Sequence, residues 1–523
     1  MPHPSALSSP EIQTDVVVIG SGIGGLCCAA LLARYGFEVI VCESHSIPGG
    51  AAHAFERHGY QFDSGPSLYS GLSYSPSTNP LRQVLDALGE DLPWAIYDTW
   101  GVWLPEGNFD MAVGADPFCE VLSQLRGEKA VAEWRRLQQV MEPLQAAAIA
   151  IPSAAVRFDW AAAVTLGRFV PDILRQAFPI LKLSGPFSDV LKGVVQDPFI
   201  RNWMDLLCFM LSGLPADGTV GAEMAFMFAE WYRPGVVLDY PVGGSGAIVD
   251  ALVRGLERHG GKLSLNSHVE QILVDADRAV GVQLRGGQTL QARRAVVSNA
   301  SIWDTLKLLP EADLPTSFRT QRQATPECDS FMHLHLGIDG QGLSQDLACH
   351  HLVVNSWDSG VTAPGNVIAV SIPSLLDPSL APVGKQTIHV YTPASEPYAV
   401  WQNLDRRSSA YEQLKQERSQ VMWQALERII PDVRSRTEVT LVGTPLTHER
   451  FLRRHRGSYG PAIQAGKALF PGPGTPLNRL YCCGDSTFPG IGVPAVAASG
   501  MITANTLAPV QKQVQMLQEI GLT

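Results

Sequence analysis

Two glycine-rich segments at opposite ends of the chain constrain its fold more than anything between them. Asp15 to Ser44 reads DVVVIGSGIGGLCCAALLARYGFEVIVCES, and Arg479 to Leu507 reads RLYCCGDSTFPGIGVPAVAASGMITANTL. The first spells a strand, a glycine turn, a helix and a second strand that ends at Glu43. The second spells a strand that ends at Gly484-Asp485, then a glycine-rich loop that opens a helix. Each half needs a partner to cover it, so the two are expected to meet in space.

The first segment has the physics of a dinucleotide cradle. Val16 to Ile19 is an unbroken β-branched run, as a strand buried on both faces of a parallel sheet requires. Gly20 permits the tight turn, Gly22 lets the backbone approach a pyrophosphate, and Gly25 lets the helix pack close to the strand. The helix start at Ile23-Gly24 offers free N–H groups and a positive dipole end to phosphates. Phe37 to Cys42 reads as the second strand. Glu43 stands 18 residues after Gly25, near the spacing of a carboxylate that accepts from a ribose hydroxyl. An acid there, beside Ser44, suits a free 2′-OH, so FAD or NAD rather than NADP. A competing reading is a membrane span, because Val16 to Ala33 holds 18 residues without a charge. Its glycines break a helix where the nucleotide reading needs a turn, and a second strand follows at once.

The rest of the chain selects FAD. Gly49-Gly50-Ala51 follows the acidic strand end, where an extended FAD needs a backbone-lined passage. Gly484-Asp485 supplies a carboxylate for ribityl or phosphate-linked hydroxyls. Gly490 to Pro494 starts a helix whose N-terminus can face the electron-rich N1–C2=O edge of a flavin. Alone, this second segment reads as a Gly/Pro loop with an aspartate cap.

Composition bounds the partners. The 523 residues are 46% hydrophobic and 17% charged, with formal charge −11. No basic run is long enough for nucleic acid. The densest, Arg450 to Arg456, reads as a solvated face, a pocket mouth or a contact with acidic lipid headgroups. Nine scattered Cys without CxxC spacing argue against disulfides and metal clusters and fit a reducing compartment. His333 and His335 share one face of a strand, but no third ligand can be placed, so no metal is expected and both read as satisfied sheet residues. Residues 1 to 14 lack a secretory signal and read as a disordered lead.

The predicted fold class is α/β, an FAD-binding Rossmann-like domain of the glutathione reductase/amine oxidase type interleaved with a substrate domain. The first comprises residues 15–75, 236–305 and 470–510. The second comprises 76–235 and 306–469, a mixed sheet plus apolar helices over 145–235. Leu81 to Leu88 and Glu120 to Ala147 are predicted helices, and Trp94 to Val113 predicted strands. The stretches Ala146–Val156, Phe169–Leu183 and Asn202–Leu214 are apolar and broken by Pro and Gly. They read as a helical core layer, or as helices that line an apolar tunnel or dip into a membrane surface. Pro171, Pro179 and Pro186 disfavour a full span. The second glycine cluster, Gly243-Gly244 and Gly246, lacks dinucleotide spacing. Val269 sits where a strand-edge amide and carbonyl can meet an adenine.

From Asp15 to Leu507 the chain resembles the carotenoid isomerase and phytoene desaturase family of FAD enzymes, which includes retinol saturase-like proteins. The motifs are VVIGSGIGG, ESHSIPGGAAHAFERHGYQFDSGPS, PVGGSGAIVDAL, GTPLTHERFLRRHRGSYGPA and CCGDSTFPGIGVPAVAASG. The fourth is most similar to the carotenoid isomerase branch, and the chain as a whole resembles the isomerase-like proteins of oxygenic phototrophs, a side group rather than the prolycopene isomerases themselves. The resemblance implies FAD contacts from the fingerprint glycines, Glu43, Gly49-Gly50, Val269 and Gly484-Asp485. It places Pro66-Ser67 and Gly492-Val493-Pro494 near the isoalloxazine. Desaturases of the family commonly carry an arginine soon after the double glycine; here Ala51-Ala52-His53 follows. The implied activity is flavin hydride chemistry on a carotenoid-like polyene or isoprenoid, as isomerisation, desaturation or saturation. The implied location is cytoplasmic or peripheral on a photosynthetic membrane of a cyanobacterium or plastid. An FAD-dependent amine oxidase and a non-catalytic flavin- and pigment-binding protein remain open, no catalytic side chain is assigned, and oligomeric state is silent.

Overall fold

The computed structural model describes residues 12–175 and 182–522. One strand joins the two ends of the chain. Thr289–Ser298 pairs in parallel with Ile12–Ile19 along one edge. On its other edge, Val296–Ser298 pairs in parallel with Leu480–Cys482, while Thr289–Gln291 pairs antiparallel with Gly281–Gln283. The seven-stranded sheet continues outward through Val39–Cys42 and Lys262–Ser264 on one side and Val269–Asp275 on the other. Val16, Val17 and Val18 are fully buried, as expected for strands covered on both faces. Val16 to Ala33 is no span: as the nucleotide reading expects, the segment is a strand, a turn and the helix Ile23–Arg34. The predicted lead is shortened too. Ile12, Gln13 and Thr14 already pair with Leu290, Gln291 and Ala292, and the remainder, residues 1–11, lies outside the described residues.

The helices of the two segments touch backbone to backbone. A Cβ on Gly500, in the helix Val493–Leu507, would stand 2.2 Å from the Gly24 carbonyl oxygen and 3.0 Å from Cys27 Cβ. That approach brings the glycine loop of one segment against the glycine loop of the other.

A second seven-stranded sheet runs in the order Thr437–Gly443, Ser330–Asp339, Lys385–Glu396, Val367–Ser371, His350–Val354, Thr99–Leu104, Gly107–Ala112. Its two faces differ by the period-two rule. Met332, Leu334, Leu336 and Ile338 pack with Trp423 and Leu426 of the helix Ser409–Ile429. The intervening Phe331, His333 and His335 take the opposite face.

The apolar region around residues 145–235 builds a third layer on Pro117–Arg126, Glu128–Ile149, Pro198–Ser212 and Gly221–Trp231. Aromatic packing holds it: Phe118 meets Trp134 edge-on at 4.6 Å and Trp203 in a stack at 5.1 Å. The predicted helix Glu120 to Ala147 is two helices, because Gly127 at φ 79° ends the first and starts the second. Phe178 and Pro179 lie outside the described residues. Among the described residues, no helix is long and apolar enough to cross a membrane.

Gly500→Ala must part the two helices at main-chain contact. It is expected to lower unfolding stability by about 1–3 kcal/mol, the range for overpacking, in chemical denaturation. Gly474→Ala, where an added Cβ meets nothing within 4 Å, should stay within about 0.5 kcal/mol.

Candidate active site

At the carboxyl ends of the first sheet's parallel strands opens a cavity of about 1450 Å³, where open α/β sheets bind ligands. Its floor is Gly20, Gly22, Ile23 and Gly24, with Glu43 and Ser44 at one side and Gly49, Gly50 and Ala51 above. Gly484 and Asp485 enter from the C-terminal segment, Val269 from the sheet edge. Pro66 and Ser67 face it with Gly492, Val493 and Pro494. Beyond them the cavity runs between the helical layer, which lines it with Leu207, Met210, Leu211 and Trp231, and the second sheet, which lines it with Trp100 and Phe331. Among the sequence-predicted site residues, Gly25 alone does not face the cavity. A Cβ there would lie 2.2 Å from the Gly20 carbonyl oxygen, so Gly25 serves helix–strand packing instead.

The cradle is made of backbone. Gly22 forms a parallel bridge with Gly49, and a Cβ on Gly50 would sit 3.0 Å from Gly22 Cα. A Cβ on Gly24 would sit 2.9 Å from Gly484 Cα. Two helices start at this wall without a side-chain cap, one at Gly22 and one at Gly492. Uncapped helix starts leave N–H groups unpartnered and favour negative charge. A diphosphate and the electron-rich edge of a flavin both suit them, so the residues present fit an extended FAD.

Glu43 is locked in place. Its Oε2 accepts from Ser21 N at 2.9 Å and Ser21 Oγ at 2.6 Å, and its Oε1 accepts from His45 N at 2.7 Å. The carboxylate thus ties the glycine turn to the next loop as well as lining the cavity. Asp485 pairs with Arg454 at 2.5 Å. The basic stretch is therefore divided: Arg450, Arg453, Arg454 and His455 line the cavity, while Arg456 turns to Glu327 at 2.7 Å.

Sequence reasoning missed Asn299. Its side chain fills the space where Cβ atoms on Gly22, Gly24 and Gly484 would lie, at 2.8, 2.9 and 2.5 Å. The usable signal was its position immediately after the buried strand Thr289–Ser298, at a carboxyl end. It also missed the histidines around His333. His389, on the neighbouring strand, lies 2.6 Å away from His333 Nδ1 through its Nε2, and His448 approaches to 4.5 Å between ring centroids. His335 Nε2 meets the Asp63 carbonyl at 3.1 Å. His335 is thus a satisfied sheet residue, but His333 keeps a buried Nε2 with no partner, which corrects that expectation. Burial pushes His335 down to about 4 and His448 down to about 3. Burial and neighbouring imidazoles hold His333 and His389 well below the ordinary histidine range.

Asp63 positions the Pro66-Ser67 loop. Its carboxylate accepts from Tyr240 Oη and Ser245 N, both at 2.8 Å. Ser245 Oγ donates in turn to the Pro66 carbonyl at 2.5 Å, and Ser67 Oγ meets Ser371 Oγ at 2.6 Å across the cavity wall.

Comparisons with known proteins agree with this geometry. Residues 18–88 match the NAD(P)-binding Rossmann-like domain, and residues 185–508 match the flavin containing amine oxidoreductase family. The chloroplastic prolycopene isomerase of Daucus carota is 33% identical over 95% of this chain and 80% of its own length. The all-trans-retinol 13,14-reductase of Danio rerio is 28% identical over 91% of this chain and 82% of its own. An oxidoreductase from Methanosarcina mazei has the same fold, with a TM-score of 0.61 at 20% identity over 94% of this chain and 99% of its own.

Burial raises Asp63 from 3.8 to about 6, against the lowering pull of Tyr240 and Ser245. Between about pH 4 and 6 the native state therefore holds a proton that the unfolded chain has released. This group's contribution to stability is full below about pH 4 and is lost as pH rises through about 6, a change of roughly 2–3 kcal/mol. Asp63→Asn cannot titrate, so its destabilisation relative to the parent should shrink as pH rises from 4 to 7, read by denaturant unfolding across that range.

Proposed function

We infer the reaction from an established premise: the chain belongs to the flavin-containing amine oxidoreductase family, on the branch of the prolycopene isomerases. It is an FAD enzyme. We propose that it isomerises cis double bonds of a carotenoid-like polyene. The observation that supports this reading most is the continuity of the cavity from the glycine cradle to an aromatic and aliphatic chamber whose histidines burial keeps neutral.

In this reading Gly20, Gly22, Ile23, Gly24, Gly49, Gly50 and Ala51 take the diphosphate by backbone approach. Glu43 and Ser44 take the ribose, Val269 the adenine, and Gly484-Asp485 the ribityl side. Pro66-Ser67 and Gly492-Val493-Pro494 border the ring system. The nucleotide-binding unit is residues 15–75, 236–305 and 470–510, with the substrate unit between its pieces. Bound FAD supplies reversible hydride chemistry, which an apolar polyene requires because it offers few atoms to side-chain acids and bases. Trp100, Leu207, Met210 and Trp231 orient the polyene and exclude water. These four side chains offer no carboxylate to pair with an ammonium, and burying an unpaired charge is costly, which disfavours an amine held against them. Saturation is the second reading, favoured by the similarity to a protein named as a retinol reductase.

The substrate would reach the cavity from a lipid surface. Trp160 is 84% and Leu469 73% exposed. Phe158 packs on Gly472, where a Cβ would stand 2.7 Å from its ring, and meets Phe488 at 5.6 Å, whose N–H donates to the Pro471 carbonyl at 2.7 Å, so the two segments are joined. Phe488 directly precedes the Gly490–Pro494 loop at the cavity. We propose that this patch docks peripherally on a membrane, without a span.

The purified protein with its flavin photoreduced under anaerobic conditions should convert a poly-cis carotenoid in liposomes to trans isomers without flavin reoxidation. Stoichiometric reoxidation with a shortened chromophore would replace isomerisation by saturation. Peroxide release from a polyamine would indicate an amine oxidase. Pigment binding without any turnover would indicate a carrier, and a protein that holds no flavin would remove the whole reading.

Burying one large apolar side chain is worth about 1.5–3 kcal/mol. Trp160→Glu combined with Leu469→Glu should therefore cut liposome binding by about tenfold or more in flotation, with flavin content unchanged. Equal binding by parent and variant would refute docking through this patch.

A further inference from the structure

The cavity-facing side of the second sheet holds an unassigned cluster of imidazoles. His333 and His335 alternate on Ser330–Asp339, so both project from the same face. His389, on Lys385–Glu396, stands directly opposite His335 in antiparallel register. One ring nitrogen of each lies within 4.8 Å of one nitrogen of the others. Their exposures are 3%, 7% and 2%, so all three are buried well beyond nine-tenths.

The hydrogen bonding of the cluster is incomplete in a patterned way. His333 Nδ1 and His389 Nε2 face each other at 2.6 Å, with ring centroids 4.8 Å and planes 17° apart. The rings therefore meet edge to edge through a single N–H···N contact, with one proton between the two nitrogens. His335 Nε2 can donate to the Asp63 carbonyl at 3.1 Å, which leaves its Nδ1 as the bare nitrogen. A backbone carbonyl orienting one ring nitrogen while the other is free is the usual outer support of a metal-ligating histidine. His333 Nε2, His389 Nδ1 and His448 Nε2 have no partner although buried, and an unmet buried polar group is costly.

We propose that His333, His335 and His389 form a three-imidazole site for a divalent transition ion of the zinc class, with its open position toward His448 and the cavity. Two alternating residues on one strand and their cross-strand neighbour bring three ring nitrogens within 4.8 Å of one another once the sheet is assembled. Neutral imidazoles suit zinc and its first-row neighbours, whereas magnesium and calcium call for oxygen. Zn–N bonds of about 2.0–2.1 Å set ligand nitrogens roughly 3.3 Å apart in a tetrahedron. The 2.6 Å pair opens, and His335 and His389, whose rings stack at 4.4 Å with planes 4° apart, turn until each plane contains the ion, both through rotation of imidazole rings. The ion would pin these two neighbouring strands to each other and place a Lewis acid at the cavity wall.

The test uses untagged, FAD-loaded protein, stripped with a chelator and titrated with Zn²⁺ and then Co²⁺. The expected result is uptake of about one ion per chain, with Co²⁺ absorption bands beyond the flavin spectrum, as a three-histidine site with an open position gives. His389→Gln and His335→Gln should each weaken Zn²⁺ binding by more than about a hundredfold, because loss of an outer-shell partner alone costs about 10–100-fold. Flavin absorbance reports that each variant is folded. His350→Gln, a buried histidine bonded to Tyr97 at 2.9 Å, should keep the ion. No uptake by the parent, or uptake that neither substitution alters, would overturn the site. If neither variant folds, the Co²⁺ spectrum of the parent decides: without those bands the site does not exist.

Discussion

Everything in this molecule depends on main-chain contact between two helices from opposite ends of the chain. Gly500 sits against the Gly24 carbonyl with no room for a methyl group. Because the two helices are that close, Gly484 stands beside Gly24 and both glycine loops share one wall of the cavity. A cradle made of backbone can bring several N–H groups to a diphosphate, which side chains of ordinary length would hold off. Thr289–Ser298 supplies the rigidity, since it is paired with the strands of both ends at once.

The second sheet divides its work by parity. Met332, Leu334, Leu336 and Ile338 of Ser330–Asp339 make the apolar core with Ser409–Ile429, while Phe331 and His333 face the cavity. Stability and chemistry thus occupy alternate positions of one strand. The cavity face can hold polar rings because the other face supplies the burial.

The cofactor half was legible in the sequence and the substrate half was not, for a physical reason. Gly20, Gly22, Glu43 and Gly484 act through local geometry, in which spacing along the chain is spacing in space. Asn299 follows a strand whose neighbours come from residues 12–19 and 480–482, so its position at the cradle needs the assembled sheet. His389 pairs with His335 across 53 residues of intervening sequence, and nothing local marks that register. Gly127 was a missed break because the helical pattern on both sides is equally good. Trp160 and Leu469 are brought to one side by Phe158, which packs on Gly472 and Phe488 far away in sequence.

The split fingerprint also sets an order of events at the ribosome. Ser44 and Arg479 are separated by 435 positions, and at about 5–20 residues per second roughly 20 to 90 seconds pass between the emergence of one and the other. Throughout that interval Ile23–Arg34 presents an apolar flank meant for Val493–Leu507, with Leu26, Cys27 and Leu31 destined for full burial. The nascent chain must shelter that flank before the nucleotide can help it, so cofactor capture is a late, post-translational step in the life of this polypeptide.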